Sequence, residues 1–348
     1  MIQTAAGVRP VSEVGEFALI EGIRKVIGGA RVSLPQVTVG IGDDAAVWQP
    51  TAGRALAVST DMLVEQVHFR RDWSEAAQIG HRALAVNLSD MAAMGALPRF
   101  AVVSLGLTGR ETDRWVFDLY RGLAALGQRW RVQIIGGDIV TSPNQTTISV
   151  TAHGEVHPSR IMRRNTAEVG DVIGVTGPLG LAAGGLRLLT EGTLRRDGAP
   201  GMLAAHRTPQ PRVMHGLLLS WAGVRCAMDL SDGLLGDLPR ICTASDVVAN
   251  LELSRMPVPQ ALRWNFADWQ EMALRGGEDY ELLFTAPPEV FSRVERIFKR
   301  FNLQPPTQIG EVVKPRKDKQ VLMLRGYDLI RRPLHSGAFD HFAPPPLT

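Results

Sequence analysis

Cysteine is scarce in this chain of 348 residues, which contains only Cys226 and Cys242. Their spacing matches neither a metal-binding motif nor a disulfide framework. Long apolar runs are also lacking, since no stretch approaches the roughly 18 uninterrupted apolar residues of a membrane-spanning helix. The first residues have neither the charged start nor the apolar segment of a signal peptide. We therefore expect a cytoplasmic protein with no membrane partner.

An excess of charge of one sign is absent as well. The 38 Lys and Arg residues are interspersed with 35 Asp and Glu residues, which gives a net charge of +3. No basic run or alternation of basic and aromatic residues appears, and such patterns are typical of nucleic-acid binding. We therefore expect no nucleic-acid partner.

The length of the chain exceeds the usual size of a single hydrophobic core, which predicts two domains. Helical and strand patterns alternate throughout, so the predicted class is α/β, or mixed α+β, with domains at 1–156 and 157–348. In the first domain, residues 13–28 predict an amphipathic helix with Phe17 on its apolar side. A capping-box pattern of Thr108 and Glu111 predicts the start of a helix that ends near Trp130.

The stretch 82–98, RALAVNLSDMAAMGALP, is rich in helix-forming residues and has almost no polar face, which predicts a buried helix. Asn87 and Asp90 are three residues apart and therefore share one face of that helix. A buried carboxylate needs a cation or hydrogen-bond donors. From this stretch alone, Asp90 is equally compatible with capping a neighbouring backbone and with binding a ligand.

Acidic residues follow apolar runs at six places in the chain. A single Asp after a strand is more often a turn or cap residue. Six such places instead predict converging carboxylates, and oxygen ligands favour a hard ion such as Mg²⁺, which proteins commonly share with substrate phosphates. The six places are Asp43-Asp44, Asp61, Asp90, Asp138, Asp229 with Asp232, and Glu278-Asp279.

Familiar phosphate and nucleophile motifs are missing. The segment GPLGLAAGG at 177–185 lacks the Lys-Ser/Thr of the Walker motif, so it is either a tight strand-to-helix turn or a direct phosphate contact. Arg163 and Arg164 are either a solvated turn or a cationic supplement to such a site. His68 is compatible with a core position or a binding role. No GxSxG elbow is present, which argues against nucleophilic catalysis.

Seven motifs in this order resemble the bacterial thiamine-monophosphate kinase family over nearly the whole chain: GIGDDAAV, STDMLVEQVHF, ALAVNLSDMAAMGALP, IGGD, VTGPLGLAAGG, MDLSDGL and GGEDYELLFTAP. The acidic motifs alone would indicate only the wider superfamily of aminoimidazole ribonucleotide synthetase, selenophosphate synthetase and the hydrogenase-maturation dehydratase. STDMLVEQVHF, GGEDYELLFT and the tail AFDHF favour the thiamine enzyme. The resemblance implies the two-domain aminoimidazole ribonucleotide synthetase-like fold.

The resemblance also implies an activity and partners. These are phosphorylation of thiamine monophosphate to thiamine diphosphate by ATP, several Mg²⁺ ions, and a homodimer formed through the N-terminal domain. By motif, Asp90 and Asp232 are the expected catalytic residues. The implied metal ligands are Asp43, Thr60, Asp61, Asp90, Asp138, Asp229 and Asp232; the implied ATP contacts are Ser59, Gly137, Asp138, Arg164 and Ser231; the implied substrate contacts are His68, Glu278 and Phe339.

Three positions depart from the family pattern. Gln66 stands where the family usually has Gly, Ile139 where Thr is common, and Phe339 where Tyr is usual. Two alternatives to the kinase remain open at this point. One is a superfamily relative such as aminoimidazole ribonucleotide synthetase, and the other is a binding module for divalent ions or nucleotides without turnover.

Overall fold

The computed structural model describes residues 8–29, 32–315, 322–326 and 331–333. The chain divides into two compact units, with the boundary between Pro158 and Ser159. The short segment Ala92–Gly95 belongs to the second unit. Both units combine helices with largely antiparallel sheets, which confirms the predicted mixed α+β class.

The first unit is built on a four-stranded sheet in the order β3-β6-β4-β5, in which only the β4–β5 pair is parallel. A separate antiparallel pair is formed by β1 and β2. The elements in chain order are α1 (Val11–Val14), α2 (Glu16–Gly29), β1 (Val37–Val39), β2 (Val47–Trp48), β3 (Ala55–Val64), α3 (Ala76–Ala93), β4 (Leu97–Leu107), α4 (Asp113–Trp130), β5 (Gln133–Thr141) and β6 (Thr147–Val156).

Alternation along the strands gives this sheet one buried and one more open face. On β6, Ile148, Val150 and Ala152 are fully buried, whereas the residues between them are partly exposed. The central residues Leu84 and Leu88 of α3 are also fully buried, which confirms the predicted buried helix. Each such Leu contributes roughly 1.5–3 kcal/mol by leaving water.

The second unit contains a seven-stranded sheet in the order β13-β12-β9-β11-β7-β10-β8, in which only β9 and β12 pair in parallel. Its elements are β7 (Val172–Val175), α5 (Leu181–Glu191), α6 (Ala199–Arg207), α7 (Val213–Ala222), β8 (Cys226–Asp229), α8 (Leu234–Ser245), β9 (Val248–Glu252), α9 (Gln260–Asn265), α10 (Trp269–Arg275), β10 (Leu282–Ala286), α11 (Pro288–Arg300), β11 (Thr307–Val313), β12 (Leu322–Arg325) and β13 (Arg331–Pro333).

Three details of the sequence predictions were wrong. Helix α3 begins at Ala76 rather than near 82, and Leu97 already starts β4. The N-cap of α4 is Thr112, whose hydroxyl accepts from the Trp115 N–H, and the predicted cap Thr108 donates to the Glu111 side chain instead. The predicted end of α4 at Trp130 is confirmed.

The third wrong detail concerns α2, where Phe17 is 85% exposed although it was predicted on the apolar side. Leu19 and Ile23 are the residues that this helix buries. Among the residues that the structure describes, no helix is long and apolar enough to cross a membrane.

Candidate active site

Strand β3 and helix α3 bring three of the predicted residues together in the first unit. The alternation of β3 puts Ser59 and Asp61 on the same, less exposed face. The Ser59 hydroxyl donates a short hydrogen bond to Asp90, near the C-terminal end of α3. Burial, and next the negative charge of Asp90, raise the pKa of Asp61 to about 6. Two acids that repel each other at a partly buried position are what a cation would stabilise.

Asn87 shares a face of α3 with Asp90, but its side-chain amide bonds back along the helix. Its amide group donates to the Ala83 carbonyl at 3.1 Å, one turn earlier in the helix. Within the described part of the chain, the buried Oδ1 of Asn87 has no hydrogen-bond partner.

Thr60 and Asp138 lie on the opposite face of the sheet from Asp61. The Thr60 hydroxyl is 2.9 Å from the Thr151 hydroxyl on β6. Asp138 pairs in register with Ser104 of β4, which in turn pairs with Ser149 on that same face of β6. The Asp138 carboxylate therefore cannot bind the same ion as Asp61 in one chain, and Thr60 can reach such an ion only through its main chain.

At Gly137 and Asp43, contacts with neighbouring backbone atoms define the local geometry. A Cβ at Gly137 would lie directly against the Val103 carbonyl, so this position needs glycine for the close pairing of β4 and β5. Asp43 is exposed after β1, and its carboxylate accepts from the Asp44 N–H at 2.9 Å. This is the geometry of a turn residue, and it leaves carboxylate oxygens open to a ligand.

His68 lies on a turn whose geometry fixes one of its ring nitrogens. Its Nδ1 accepts from the Val64 N–H at 3.0 Å, so in the neutral ring Nε2 carries the proton and is a donor. Gln66, in the same turn, has a φ of 68°, in the left-handed region that favours glycine. The structure thus gives a physical reason for the glycine that the family usually has there.

An ion-pair network anchors the segment that follows His68. Arg71 contacts Glu65 at 2.9 Å and Glu111 at 2.5 Å, and its guanidinium stacks on Trp115. Burial would raise the pKa of Glu111, but hydrogen bonds from Thr146, from Arg71 and from the backbone outweigh it and hold this pKa at about 2. Sequence patterns did not single out this network, because its members are 6 to 81 residues apart.

The second unit carries the acidic turn that follows β8. Asp229 is buried at the end of that strand. The fully buried carboxylate of Asp237 accepts from the backbone N–H groups of Ser231 and Asp232, both at 3.0 Å. Arg240 contacts Asp232 at 2.5 Å and Asp237 at 3.1 Å. Asp237 and Arg240 were not predicted from the sequence. The available signal for Asp237 was a carboxylate in the first turn of an apolar helix.

The segment GGEDYE, at 276–281, forms a tightly held loop before β10. Asp279 accepts from the Gly180 N–H at 2.6 Å and the Ala182 N–H at 3.0 Å, at the start of α5. The glycine-rich segment at 177–185 is therefore a tight turn whose helix N-terminus already binds a carboxylate of this chain. Glu281, two residues on, is buried and paired with Arg212 through two hydrogen bonds.

Glu278, the predicted substrate contact, lies in that loop at a φ of 70°. Its carboxylate is 3.4 Å from the Nδ1 of His206, a buried residue of α6. Neither His206 nor Arg212 was predicted from the sequence, since both lie on helices far along the chain from the loop that they contact.

The predicted binding roles of Arg164 and Phe339, and of the neighbouring Arg163, stay predictions. Arg163 and Arg164 have exposed side chains, and their main chains are held by bonds to Arg225 and Ser245 respectively. Phe339 lies outside the described residues. In that described part, no three His, Cys, Asp or Glu side chains are close enough to form a metal-binding group. Burial, and next the charge of Asp90, raise the pKa of Asp61. As oxygen-only donors, Asp61 and Asp90 nevertheless fit a hard divalent cation.

Comparison with known proteins identifies the family. Residues 42–156 match the model of the AIR synthase related protein N-terminal domain, and residues 168–322 match that of the C-terminal domain. Thiamine-monophosphate kinase of Bacillus subtilis (strain 168) is 35% identical over 330 residues, which are 94% of this chain and 99% of that protein. The chain belongs to the thiamine-monophosphate kinase family. The Synechococcus elongatus member is 42% identical over 71% of this chain and 77% of its own length.

Solved structures of the thiamine-monophosphate kinase family have the same fold. The Stenotrophomonas maltophilia K279a enzyme is 36% identical, with a TM-score of 0.80 over 87% of this chain and 95% of its own. AaThiL, solved with AMPPCP and TMP, is 27% identical, with a TM-score of 0.74 over 97% of this chain and 100% of its own. These likenesses confirm the predicted aminoimidazole ribonucleotide synthetase-like fold.

Proposed function

We propose that this protein phosphorylates thiamine monophosphate to thiamine diphosphate with ATP as the phosphoryl donor. The observation that carries the proposal is its membership of the thiamine-monophosphate kinase family along 94% of the chain. The AaThiL relative, which was solved with AMPPCP and TMP, supports a nucleotide and a thiamine phosphate as the two substrates.

The Asp61–Asp90 pair is the proposed centre of metal binding in the first unit. Burial, and next the charge of Asp90, raise the pKa of Asp61. Mg²⁺ would supply charge screening between the phosphates and stabilise the oxygens that gain charge. Asp138 lies on the other face of the sheet and is proposed to bind an ion that Asp61 of the same chain does not reach. The full proposed ligand set is Asp43, Thr60 through its main chain, Asp61, Asp90, Asp138, Asp229 and Asp232.

The proposed transfer is direct and in line. A phosphate oxygen of the substrate attacks the γ-phosphorus of ATP, the bond from that phosphorus to the oxygen bridging to the β-phosphate breaks, and ADP leaves. A phosphate monoester is already largely dianionic near neutral pH, so no strong general base is needed. The protein then contributes positioning and electrostatic stabilisation. The Ser59 hydroxyl fixes Asp90 by a hydrogen bond, and the Asp237 carboxylate fixes the turn of Ser231 and Asp232 by accepting from their N–H groups.

The substrate contacts follow from the same family pattern. The protonated Nε2 of His68 is a donor suited to a phosphate oxygen, because Nδ1 is occupied by the Val64 N–H. Glu278 offers a carboxylate to the cationic thiazolium or the amino group of the substrate. ATP is proposed to contact Ser59, Gly137, Asp138, Arg164 and Ser231, and Phe339 is proposed to stack on the substrate.

One experiment tests the proposal. ADP release by the purified full chain is measured with ATP and Mg²⁺, with and without thiamine monophosphate. We expect release that depends on thiamine monophosphate and formation of thiamine diphosphate, with sequential kinetics and no phosphorylated protein. Release that depends instead on formylglycinamidine ribonucleotide, or ATP binding without any turnover, would refute the kinase function.

A homodimer is the proposed assembly. On β3, Leu56, Val58 and Met62 carry large apolar side chains on the face opposite Ser59 and Asp61, where they are 54–62% exposed. A row of apolar side chains on an edge strand is a surface that a second chain can bury. This surface supports pairing through the N-terminal domain.

A further inference from the structure

The segment RRNTA, at 163–167, carries the proposed ATP contact Arg164 but forms neither a helix nor a strand. The side chain of Arg164 is exposed, and in the part of the chain that the structure describes its guanidinium has no ion-pair or hydrogen-bond partner. An arginine on an irregular segment loses main-chain and side-chain freedom when it binds a phosphate. Its contribution to affinity therefore depends on how firmly the main chain beneath it is already held.

One hydroxyl holds the main chain at Arg164. The Ser245 Oγ donates to the Arg164 carbonyl at 2.9 Å and accepts from the Ala167 N–H at 3.1 Å. The hydroxyl thus uses its donor and an acceptor position on the same short segment, and it closes a loop over 164–167. The thiol of Cys226 lies 3.8 Å from the same carbonyl and is a weaker second donor.

The end of helix α8 gives Ser245 a fixed position. Ser245 is the last residue of this helix, and the Val247 N–H donates back to the Cys242 carbonyl at 3.0 Å, which closes the helix end. Cys242 and Ala167 both belong to one buried core of the second unit. The Ser245 hydroxyl therefore ties the arginine segment to a rigid part of that unit.

Other groups hold the preceding residue, Arg163. Its N–H donates to the Arg225 carbonyl at 2.7 Å. The Thr166 hydroxyl lies 3.1 Å from the Arg163 carbonyl and 2.9 Å from the Arg225 carbonyl. These bonds do not involve Ser245. Loss of the Ser245 hydroxyl should therefore loosen the main chain at Arg164 without releasing the whole segment.

The Ser245 contact lies at the opposite end of β8 from the acidic turn of the same unit. Cys226, beside the Arg164 carbonyl, is the first residue of this strand, whereas the turn at 229–232 follows its last residue. The four residues of the strand extend over roughly 10 Å. We therefore expect Ser245 to affect nucleotide binding rather than the transfer step.

We propose that Ser245 is a positioning residue for ATP, whose hydroxyl fixes the main chain of Arg164 and so presents the guanidinium to a phosphate of the nucleotide. This inference rests on the proposed function, because it specifies how one contact of that nucleotide is built. It assigns to Ser245 an effect on ATP affinity and none on thiamine monophosphate affinity.

The test compares the Michaelis constants of the two substrates in the full chain. We expect Ser245→Ala to raise the KM for ATP about fivefold, which corresponds to the loss of one neutral hydrogen bond. The KM for thiamine monophosphate and kcat should stay within about twofold of the wild type. Ser245→Thr keeps the hydroxyl and should leave the KM for ATP within about twofold of the wild type. Calorimetric binding of a non-hydrolysable ATP analogue should weaken in Ser245→Ala in parallel with the KM.

A matched control comes from Thr243, an exposed residue in the last turn of the same helix. Thr243→Ala removes a hydroxyl from that turn and should change neither KM. A rise of both Michaelis constants in Ser245→Ala would attribute the effect to general loosening of the unit and overturn the proposal. An equal rise of the KM for ATP in Thr243→Ala would overturn it as well.

A second substitution covers the case in which Ser245→Ala does not fold. Ser245→Cys nearly keeps the size of the side chain but offers only a weak donor, so it should raise the KM for ATP about threefold. An unchanged KM for ATP in the folded Cys variant would count against positioning by the hydroxyl and overturn the proposal.

A double-mutant cycle tests whether Ser245 acts through Arg164. Arg164→Gln should raise the KM for ATP about tenfold, since it removes a charge-assisted hydrogen bond to phosphate. Adding Ser245→Ala in the Arg164→Gln background should then change this KM no further. Additive effects would show that Ser245 acts by another route, and an unchanged KM in Arg164→Gln would remove the contact itself. Either result would overturn the proposal.

Failure of this inference is distinct from failure of the proposed function. A wild-type protein without ADP release that depends on thiamine monophosphate would refute the kinase activity itself. Normal wild-type turnover with an unchanged KM for ATP in folded Ser245 variants would refute only the role of Ser245.

Discussion

The Ser59 hydroxyl on β3 donates a hydrogen bond to the Asp90 carboxylate at the end of α3, across 31 residues of sequence. This bond holds Asp90 beside Asp61, the acid whose pKa is raised to about 6. Strand β3 supplies Asp61 and helix α3 supplies Asp90, so the sequence pattern of neither element shows that the two carboxylates meet. The proposed metal chemistry in the first unit depends on this relationship.

Replacing Asp90 separates its role in the fold from its role in turnover. Asp90→Asn keeps the size of the side chain and can still accept from Ser59, but it removes the charge that repels Asp61. We expect the metal-free protein to melt at the same or a higher temperature, and Mg²⁺-dependent ADP release to fall by at least about 100-fold. Asp118→Asn, at an exposed ion pair with Arg121, should change neither quantity. Full activity of Asp90→Asn would remove Asp90 from the mechanism.

In the second unit, the guanidinium of Arg240 forms an ion pair with the carboxylate of Asp232, with 2.5 Å between Nη2 and Oδ2. Because it is a competing cation at a proposed metal ligand, Arg240→Gln should lower the Mg²⁺ concentration for half-maximal activity by about two- to fivefold. Arg255→Gln, at a surface pair with Glu252, is the matched control and should leave it unchanged. A higher Mg²⁺ requirement in Arg240→Gln would mean that Arg240 supports the site instead.

The Glu111 network should make stability depend on acid pH. The folded-state pKa of Glu111 is about 2, below the ordinary value of 4.5, so its stabilisation is present above pH 4.5 and is lost as the pH falls towards 2. Glu111→Gln should cost about 2–4 kcal/mol at pH 7. The difference in unfolding free energy between wild type and variant, measured by urea denaturation, should shrink at pH 3. An equal difference at both pH values would contradict this assignment.

Gln66 is strained by its φ of 68°. Gln66→Gly should relieve about 1–2 kcal/mol of backbone strain and lose part of it to the greater freedom of the unfolded chain. We therefore expect a net gain of roughly 0.5–1 kcal/mol in thermal or chemical unfolding, with activity retained. Gln49→Gly, at an exposed position without a positive φ, should bring no gain. A loss of stability in Gln66→Gly would show that the Gln side chain contributes more than the strain costs.

The open face of β3 predicts the effect of a buried charge on assembly. Light scattering of the wild type should give the mass of a dimer, and Val58→Glu should give that of a monomer, because a carboxylate would be desolvated in an apolar interface. Val169→Glu changes another exposed Val, in the second unit, and should leave the dimer intact. A monomeric wild type would contradict the proposed assembly.

Much of the architecture could be predicted from local sequence signals. Continuous apolar character predicted the buried α3, and the mixed class followed from the alternation of strand and helix patterns. The start of α4 was missed because Thr108 and Thr112 both precede a helical pattern, and the chain places the cap at the latter. The exposure of Phe17 was missed because periodicity gives the phase of a helix but not which neighbours cover it.

The sequence singled out Asp61, Asp90, Asp232 and Glu278 as candidate site residues, through their acidic motifs and the resemblance of those motifs to the family pattern. Tertiary structure decided which of them meet. Strand alternation puts Asp61 beside Asp90 but Asp138 on the other face of the sheet, and helix packing brings His206 to Glu278. The physical reason is that motifs record which groups the chemistry requires, whereas hydrogen bonds, ion pairs and desolvation act only between atoms that folding has brought together.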